Sequence, residues 1–265
     1  MLTSLTVLGA GHMASAILTS LLDAGAIEPA SLTICDIRPE AAAPFTARGC
    51  VFESDPVRAV ERSELVLCAV RPGQLAELLT AVADACKGKT LVSIAAGVST
   101  SYIRSLVPSA DVIRVMPNAT MLVGRGAIAI AEAPEIPAER FAQAVSIFSC
   151  GGVTEVIPES AMNAVVSVNG SSPAYFYRIA AVMAEFAGQN GIDPAVGLRL
   201  AAKTMEGAAA VLLSGEKTPE ELVRMVATPG GTTQAALDAM TDKGFDEALI
   251  AGLEACARRS AELGR

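Results

Sequence analysis

The chain has 265 residues, enough for one large domain or two small ones with a sizeable buried core. Its hydrophobic fraction of 52% excludes intrinsic disorder, and the abundance of alanine within that fraction points to closely packed helices. A net charge of −8 with no Lys/Arg cluster excludes a nucleic-acid-binding face, so phosphate recognition falls to backbone N–H groups and a few arginines.

Short apolar runs alternate with helical patterns through the first part of the chain. Strands are expected at Leu5–Leu8, Leu32–Cys35, 50–52, 65–70, 91–94 and 112–116, with helices at 12–24, 39–48, 73–85 and 101–106. The runs are rich in Val, Ile and Leu without polar alternation, as in strands covered on both faces. A strand at 127–131, a helix at 138–150 and a strand at 154–156 complete this part. Such alternation predicts an α/β fold built on a parallel, doubly wound sheet. After Pro158 no strand pattern remains. Helices are expected at 160–168, 173–190, 195–213, Pro219–Val226, 231–240 and 246–263, punctuated by Gly170, Gly191, Pro194 and Pro229–Gly231. The expected domains are therefore 1–158 and 159–265. The second is an all-helical domain whose helices are apolar on more than one face, which suits burial against a second copy as a homodimer or larger homo-oligomer.

Six cysteines, Cys35, Cys50, Cys68, Cys86, Cys150 and Cys256, form no CxxC pair, and the single histidine adds little metal-binding capacity. They read as reduced thiols acting as small hydrophobes, with no metal site expected. No basic segment followed by an apolar run precedes the first strand, and no apolar run reaches the ~18 residues of a membrane span. A cytoplasmic protein that does not enter a membrane is the expectation.

The sequence Gly9-Ala10-Gly11-His12-Met13-Ala14 follows the first strand directly and opens a helix. This is a GxGxxA fingerprint in strand–turn–helix context, and it predicts a Rossmann-type sheet that binds a dinucleotide. Gly9 allows the tight turn, Gly11 lets a pyrophosphate approach the backbone, and Ala14 allows close helix–strand packing. His12 occupies the variable position of the fingerprint and reads as pointing away from the turn rather than as an acid or base. The second strand ends in Asp36, an acidic residue at the position that usually accepts bonds from a ribose 2′-OH, which favours NADH. Arg38, two residues on, suits a 2′-phosphate and NADPH. The sequence leaves both cofactors open.

Five further segments occur in order: Ala69-Val70-Arg71-Pro72, Ala95-Ala96-Gly97-Val98, Arg114-Val115-Met116-Pro117-Asn118, Val168-Asn169-Gly170-Ser171-Ser172-Pro173-Ala174-Tyr175-Phe176, and Thr228-Pro229-Gly230-Gly231-Thr232-Thr233. Together they resemble the pyrroline-5-carboxylate reductase family over nearly the whole chain. The resemblance implies an NADPH- or NADH-dependent reductase making proline from a cyclic imine. It implies that Ala69, Val70, Arg71 and Pro72 line the pyrophosphate and adenosine side, and that Ala95, Gly97 and Asn118 border the nicotinamide. It also implies that Gly230, Gly231, Thr232 and Thr233 hold the substrate, with Glu216 near the substrate ring. The chain departs from the family pattern in three places, the first at Asp55-Pro56, where an asparagine is common after the third strand. It has Ala119-Thr120 where MPNTP is usual, and Asn169-Gly170-Ser171-Ser172 where SGSG is usual.

These residues suit the chemistry. An iminium is already electrophilic, and the cofactor carries the hydride, so a dedicated catalytic histidine is not required. Gly230–Thr233 opens a helix whose N–H groups suit a carboxylate, and the Thr233 hydroxyl suits the ring nitrogen. Competing readings are a broader imine reductase, a β-hydroxyacid dehydrogenase and a non-catalytic dinucleotide sensor. The β-hydroxyacid class needs a lysine with an asparagine one turn on, and Lys203 is followed instead by Glu206.

Overall fold

The computed structural model describes residues 2–264. Eight strands form one sheet: β1 (Leu5–Leu8), β2 (Leu32–Cys35), β3 (Val51–Phe52), β4 (Leu65–Cys68), β5 (Thr90–Ser93), β6 (Asp111–Met116), β7 (Gly126–Ala131) and β8 (Gly152–Ile157), in the order β3-β2-β1-β4-β5-β6-β7-β8. The first six strands run parallel, with Leu5 paired to Leu32 on one side and Leu65 on the other. Helices cross between them: α1 (His12–Asp23), α2 (Pro39–Thr46), α3 (Pro56–Glu61), α4 (Pro72–Ala81) and α5 (Thr100–Leu106). A Rossmann-type doubly wound sheet is thus present.

The parallel order ends at the far edge of the sheet. β7 pairs antiparallel with β6, with Val115 opposite Ile130, and β8 runs parallel to β7 after α6 (Ala138–Ser149). The connection 117–125 is one 3₁₀ turn closed by Gly124 at φ +66°. It is shorter than the dozen or so residues a parallel crossover needs, so the chain reverses.

The unbroken apolar strands follow from burial on both faces. On one face Leu5, Val7, Ile34 and Leu67 pack with Ile17, Leu18 and Leu21 of α1. On the other, Leu8, Val66, Leu91 and Val112 pack with Leu75 and Leu79 of α4 and Ile103 of α5. Each such side chain contributes about 1.5–3 kcal/mol. Thr6 is the polar exception in β1; its buried hydroxyl donates to the Ala59 carbonyl at 2.7 Å and lies 2.8 Å from the Ser63 hydroxyl. This contact lies at α3, a helix the periodicity did not predict. Asp55 caps it by accepting from the Val57 and Arg58 N–H groups, with Pro56 at its first position.

Contacts divide the chain differently from the boundary expected at Pro158. One unit holds the residues up to Ser171 together with those from Glu254 onward; the other is Ser172–Leu253. The helix expected at 160–168 is broken into a 3₁₀ turn, the short α7 (Met162–Val165) and a π turn (Val166–Gly170). Met162 is fully buried against Ala129 and Ala131 of β7, which ties this segment to the sheet. The second unit contains α8 (Ser172–Gln189), α9 (Pro194–Leu213), α10 (Pro219–Val226) and α11 (Thr232–Asp242), and the division falls within α12 (Phe245–Leu263). Helices α8 and α9 pack through small residues. A Cβ on Gly197 would lie 2.6 Å from the Ala187 Cβ, and Ala180, Ala184 and Ala201 are buried.

Candidate active site

The carboxyl ends of β1, β2, β4 and β5 place the expected cofactor residues together. The strand order turns at β1, which has β2 on one side and β4 on the other; ligands of doubly wound sheets bind in the crevice at such a reversal. Gly9 stands there at φ +96°, and a Cβ on it would lie 2.9 Å from the Ala69 carbonyl oxygen and 3.0 Å from Val70 Cγ1. Only glycine fits that turn. Gly11 is the N-cap of α1 with no side-chain cap, and space opens where its Cβ would be. The first N–H groups of α1 therefore face a clear approach, which fits a pyrophosphate. Ala14 is buried beneath the loop, His12 is exposed on the first turn of α1, and Met13 is half-buried. Arg71 is exposed at the N-cap of α4, with Pro72 in its first position.

Asp36 is placed differently from a free ribose acceptor. Its side chain is 8% exposed; Oδ2 accepts the Ala10 N–H at 2.7 Å and Oδ1 accepts the Arg38 N–H at 2.8 Å. The Arg38 side chain, 60% exposed, approaches the same carboxylate at 3.5 Å. Asp36 thus ties the glycine loop to the end of β2.

Ala95 and Gly97 follow β5, and both are buried. Gly97, at φ +84°, is covered by the end of α12, where a Cβ would overlap the Ser260 carbonyl oxygen. The missing side chain serves the chain's own packing. Asn118 is buried after β6. Its Nδ2 donates to the Asn169 carbonyl at 3.1 Å, while Oδ1 accepts from the Thr120 hydroxyl at 2.7 Å and the Ala127 N–H at 3.2 Å. Asn169 Nδ2 donates in turn to the Met116 and Ala127 carbonyls at 2.7 and 2.9 Å. Two of the departures from the family pattern, at Thr120 and Asn169, therefore meet around one asparagine.

Glu159, Asn163 and Ser260 belong to no motif in the sequence. Arg114 of β6, 4% exposed, donates from Nη2 to Asn163 Oδ1 at 2.7 Å and lies 3.8 Å from Glu159 Oε1. Burial pulls its pKa down, opposed by the Glu159 charge and hydrogen bond. Glu159 accepts the Thr100 N–H at 2.7 Å and the Thr100 hydroxyl, and the Ser260 hydroxyl donates to Asn163 Oδ1 at 3.2 Å. The available signal was a charged residue inside the otherwise apolar run Val112-Ile113-Arg114-Val115.

In the second unit, Thr228 to Gly231 form a turn closed by the Gly231 N–H to the Thr228 carbonyl at 2.9 Å. Gly230 sits at φ +73°, and Gly231 caps α11 without a side chain. A Cβ on Gly231 would lie 3.0 Å from the Thr228 carbonyl oxygen. Thr232 and Thr233 open α11, and the Thr233 hydroxyl makes no hydrogen bond to another described residue. Glu216 is exposed in the turn between α9 and α10, beside Lys217, Leu222 and Met225. Among the described residues, no group of three or more His, Cys, Asp or Glu side chains is arranged to hold a metal ion. Among the described residues no helix is long and apolar enough to cross a membrane.

A glycine loop at the reversal of a doubly wound sheet marks the dinucleotide-binding fold of an oxidoreductase. Residues 4–97 match the family model described as NADP oxidoreductase coenzyme F420-dependent, and residues 159–263 match the model described as pyrroline-5-carboxylate reductase dimerisation. The pyrroline-5-carboxylate reductase of Escherichia coli K12 is 31% identical over 261 residues, covering 97% of each chain. The structure of a Coxiella burnetii pyrroline-5-carboxylate reductase superposes with a TM-score of 0.91 at 26% identity, over 100% of both chains. That of a Plasmodium falciparum pyrroline carboxylate reductase with NADP bound gives 0.90 at 21% identity, over 99% of this chain and 98% of that one, and shares the fold. The chain belongs to the pyrroline-5-carboxylate reductase family.

Proposed function

We propose that this chain transfers a hydride from NADPH or NADH to the C=N bond of 1-pyrroline-5-carboxylate, giving L-proline. The observation that carries the reading is the turn from Thr228 to Thr233. Two glycines and an uncapped helix start leave several N–H groups directed outward at the positive end of the α11 dipole, which suits a carboxylate. The Thr233 hydroxyl then faces the ring nitrogen.

A bound reduced nicotinamide supplies the hydride. The protein's own residues bind and orient. The loop from Gly9 to Met13 would hold the pyrophosphate, with Ala69 to Pro72 beside it and Arg38 toward the adenosine. The Gly230–Thr232 backbone fixes the substrate carboxylate. On reduction the iminium carbon gains the hydride and the ring nitrogen becomes an amine, so its positive charge disappears. The Thr233 hydroxyl follows that change by donating to or accepting from the nitrogen, with Glu216 near the ring.

The β-hydroxyacid dehydrogenase alternative is disfavoured by Lys203. Its Nζ lies 2.6 Å from Glu206 Oε2 on an exposed helix face, where a general base would need to be free. Burial of only small residues on α8 and α9, with Phe176, Tyr177, Phe186 and Leu213 exposed, supports a homodimer through residues 159–263. Six free thiols, four of them buried, support a reducing cytoplasmic setting. Spectrophotometric oxidation of NADPH and NADH with 1-pyrroline-5-carboxylate, with proline identified as product, is the test. Absence of turnover with either cofactor would overturn the reading.

A further inference from the structure

The loop 95–98 after β5 is fixed at two points by groups that neither the glycine fingerprint nor the anion turn involves. At its far end, Thr100 gives both its N–H and its hydroxyl to the Glu159 carboxylate. At its middle, Gly97 lies under the end of α12, so close that a Cβ on Gly97 or on Gly264 would overlap the other strand of backbone. These two fixings share one anchor. Arg114 lies 3.8 Å from Glu159 through Nη1 and bonds Asn163 Oδ1 through Nη2 at 2.7 Å. The same Asn163 oxygen accepts from Ser260, whose carbonyl covers Gly97.

We propose that Arg114 is a positioning residue that sets the nicotinamide-side loop 95–98, acting through Glu159 on one arm and through Asn163 and the end of α12 on the other. The inference rests on the reading that Ala95 to Gly97 border the nicotinamide. Its physical basis is the shape of guanidinium. The group is planar, stays charged, and donates in two fixed directions, so one side chain orients a carboxylate and an amide together. Lysine carries the charge without that fork. The network also explains why a buried cation is kept in an apolar strand, because removing one partner leaves a buried charge without compensation. The end of α12 thereby becomes part of the cofactor half of the site, although it carries no group that reacts.

The test compares two ligands of one loop system. ADP-ribose and its 2′-phosphate occupy the pyrophosphate and adenosine side only, whereas NADPH and NADH extend to the nicotinamide. In Arg114→Lys and Ser260→Ala, calorimetry is expected to show ADP-ribose binding within twofold of wild type and dinucleotide binding weakened at least fivefold. With 1-pyrroline-5-carboxylate, kcat is expected to fall at least tenfold while the substrate KM stays within twofold. Misplacement of the hydride donor by about 1 Å is sufficient for such losses. Should Arg114→Lys not fold, Thr100→Val removes one contact to Glu159 and is expected to give the same contrast. Equal weakening of ADP-ribose and dinucleotide would overturn the proposal in favour of general loosening, and so would no change in either. If the wild-type protein reduced no pyrroline-5-carboxylate, the proposed function would fail while the binding contrast still decided the role of Arg114.

Discussion

The Asp36 carboxylate accepts the Ala10 backbone N–H at 2.7 Å, joining the end of β2 to the centre of the glycine loop. An acidic residue here was expected to accept from the ribose and so to favour NADH. With one oxygen on Ala10 and the other on the Arg38 N–H, the side chain works as a clamp. Asp36→Ala is expected to weaken NADH and NADPH alike, by about 1–3 kcal/mol, because an N–H of the loop loses its acceptor. Calorimetric titration of both cofactors checks it. Selective tightening of NADPH would return Asp36 to the ribose role.

Gly9 and Gly11 are expected to fail in different ways. A side chain at Gly9 meets the Ala69 carbonyl at 2.9 Å in a left-handed conformation, so Gly9→Ala should destabilise the fold by about 1–3 kcal/mol. Calorimetry should register a fall in Tm of roughly 2–4 °C per kcal/mol. A side chain at Gly11 meets only open space, so Gly11→Val should leave Tm nearly unchanged. It should weaken the dinucleotide at least about tenfold, or 1.4 kcal/mol, by filling the pyrophosphate approach. Unaltered dinucleotide affinity in Gly11→Val would remove the loop from the site.

Thr233→Val tests the substrate turn. Loss of one well-placed hydroxyl facing a group whose charge changes should lower kcat by about 10²–10³, or about 2.7–4 kcal/mol, and kcat/KM with it. Cofactor affinity should not move. Near wild-type kcat would reduce the turn to a helix start and shift attention to Glu216.

Burial, followed by the carboxylates of Glu53, Asp36 and Asp55, pushes the Cys35 thiol up to about 11 from 9.0. Burial likewise raises Cys86 to about 11, against the pull of Lys89. At pH 8 the thiolate fraction of each should be about 100-fold below that of an ordinary thiol. Alkylation by iodoacetamide, followed by peptide mass spectrometry, should therefore reach Cys150 and Cys256 first. The raised values also give a sign for stability. The folded state holds these protons more tightly, so the contribution is complete below pH 9 and is lost as pH rises toward 11. Rapid labelling of Cys35 at pH 8 in the folded protein would contradict this.

The exposed faces of α8 and α9 give an assembly test. Phe186 is 66% exposed and Leu213 is 79% exposed. The double change Phe186→Glu and Leu213→Glu should produce a monomeric mass in light scattering at micromolar protein, where the wild type gives a dimer or larger. A monomeric wild type would remove the basis for this reading.

Much of the molecule was legible because its signals are local. Leu5–Leu8 followed by Gly9-Ala10-Gly11 specifies strand, turn and helix through steric rules that act within a few residues. Apolar strands without alternation announced a sheet covered on both faces. Capping proline, as at Pro194 and Pro219, marked helix starts directly. Asp55-Pro56 carries the same signal for α3, a helix too short for periodicity to reveal.

What the sequence by itself determined, then, is most of the order of elements, the glycine loop after β1 and the family. Only the tertiary structure decided that β7 runs antiparallel, that Asp36 faces Ala10, that Asn118 spends its amide on Asn169, Thr120 and Ala127, and that Arg114 reaches Glu159 and Asn163. The reason is distance along the chain. Asn118 and Asn169 are separated by 51 positions, and Ser260 and Asn163 by 97. A polar side chain carries the same donors and acceptors wherever it stands, and which partner it meets is set by the packing of strands and helices that bring remote segments to one edge.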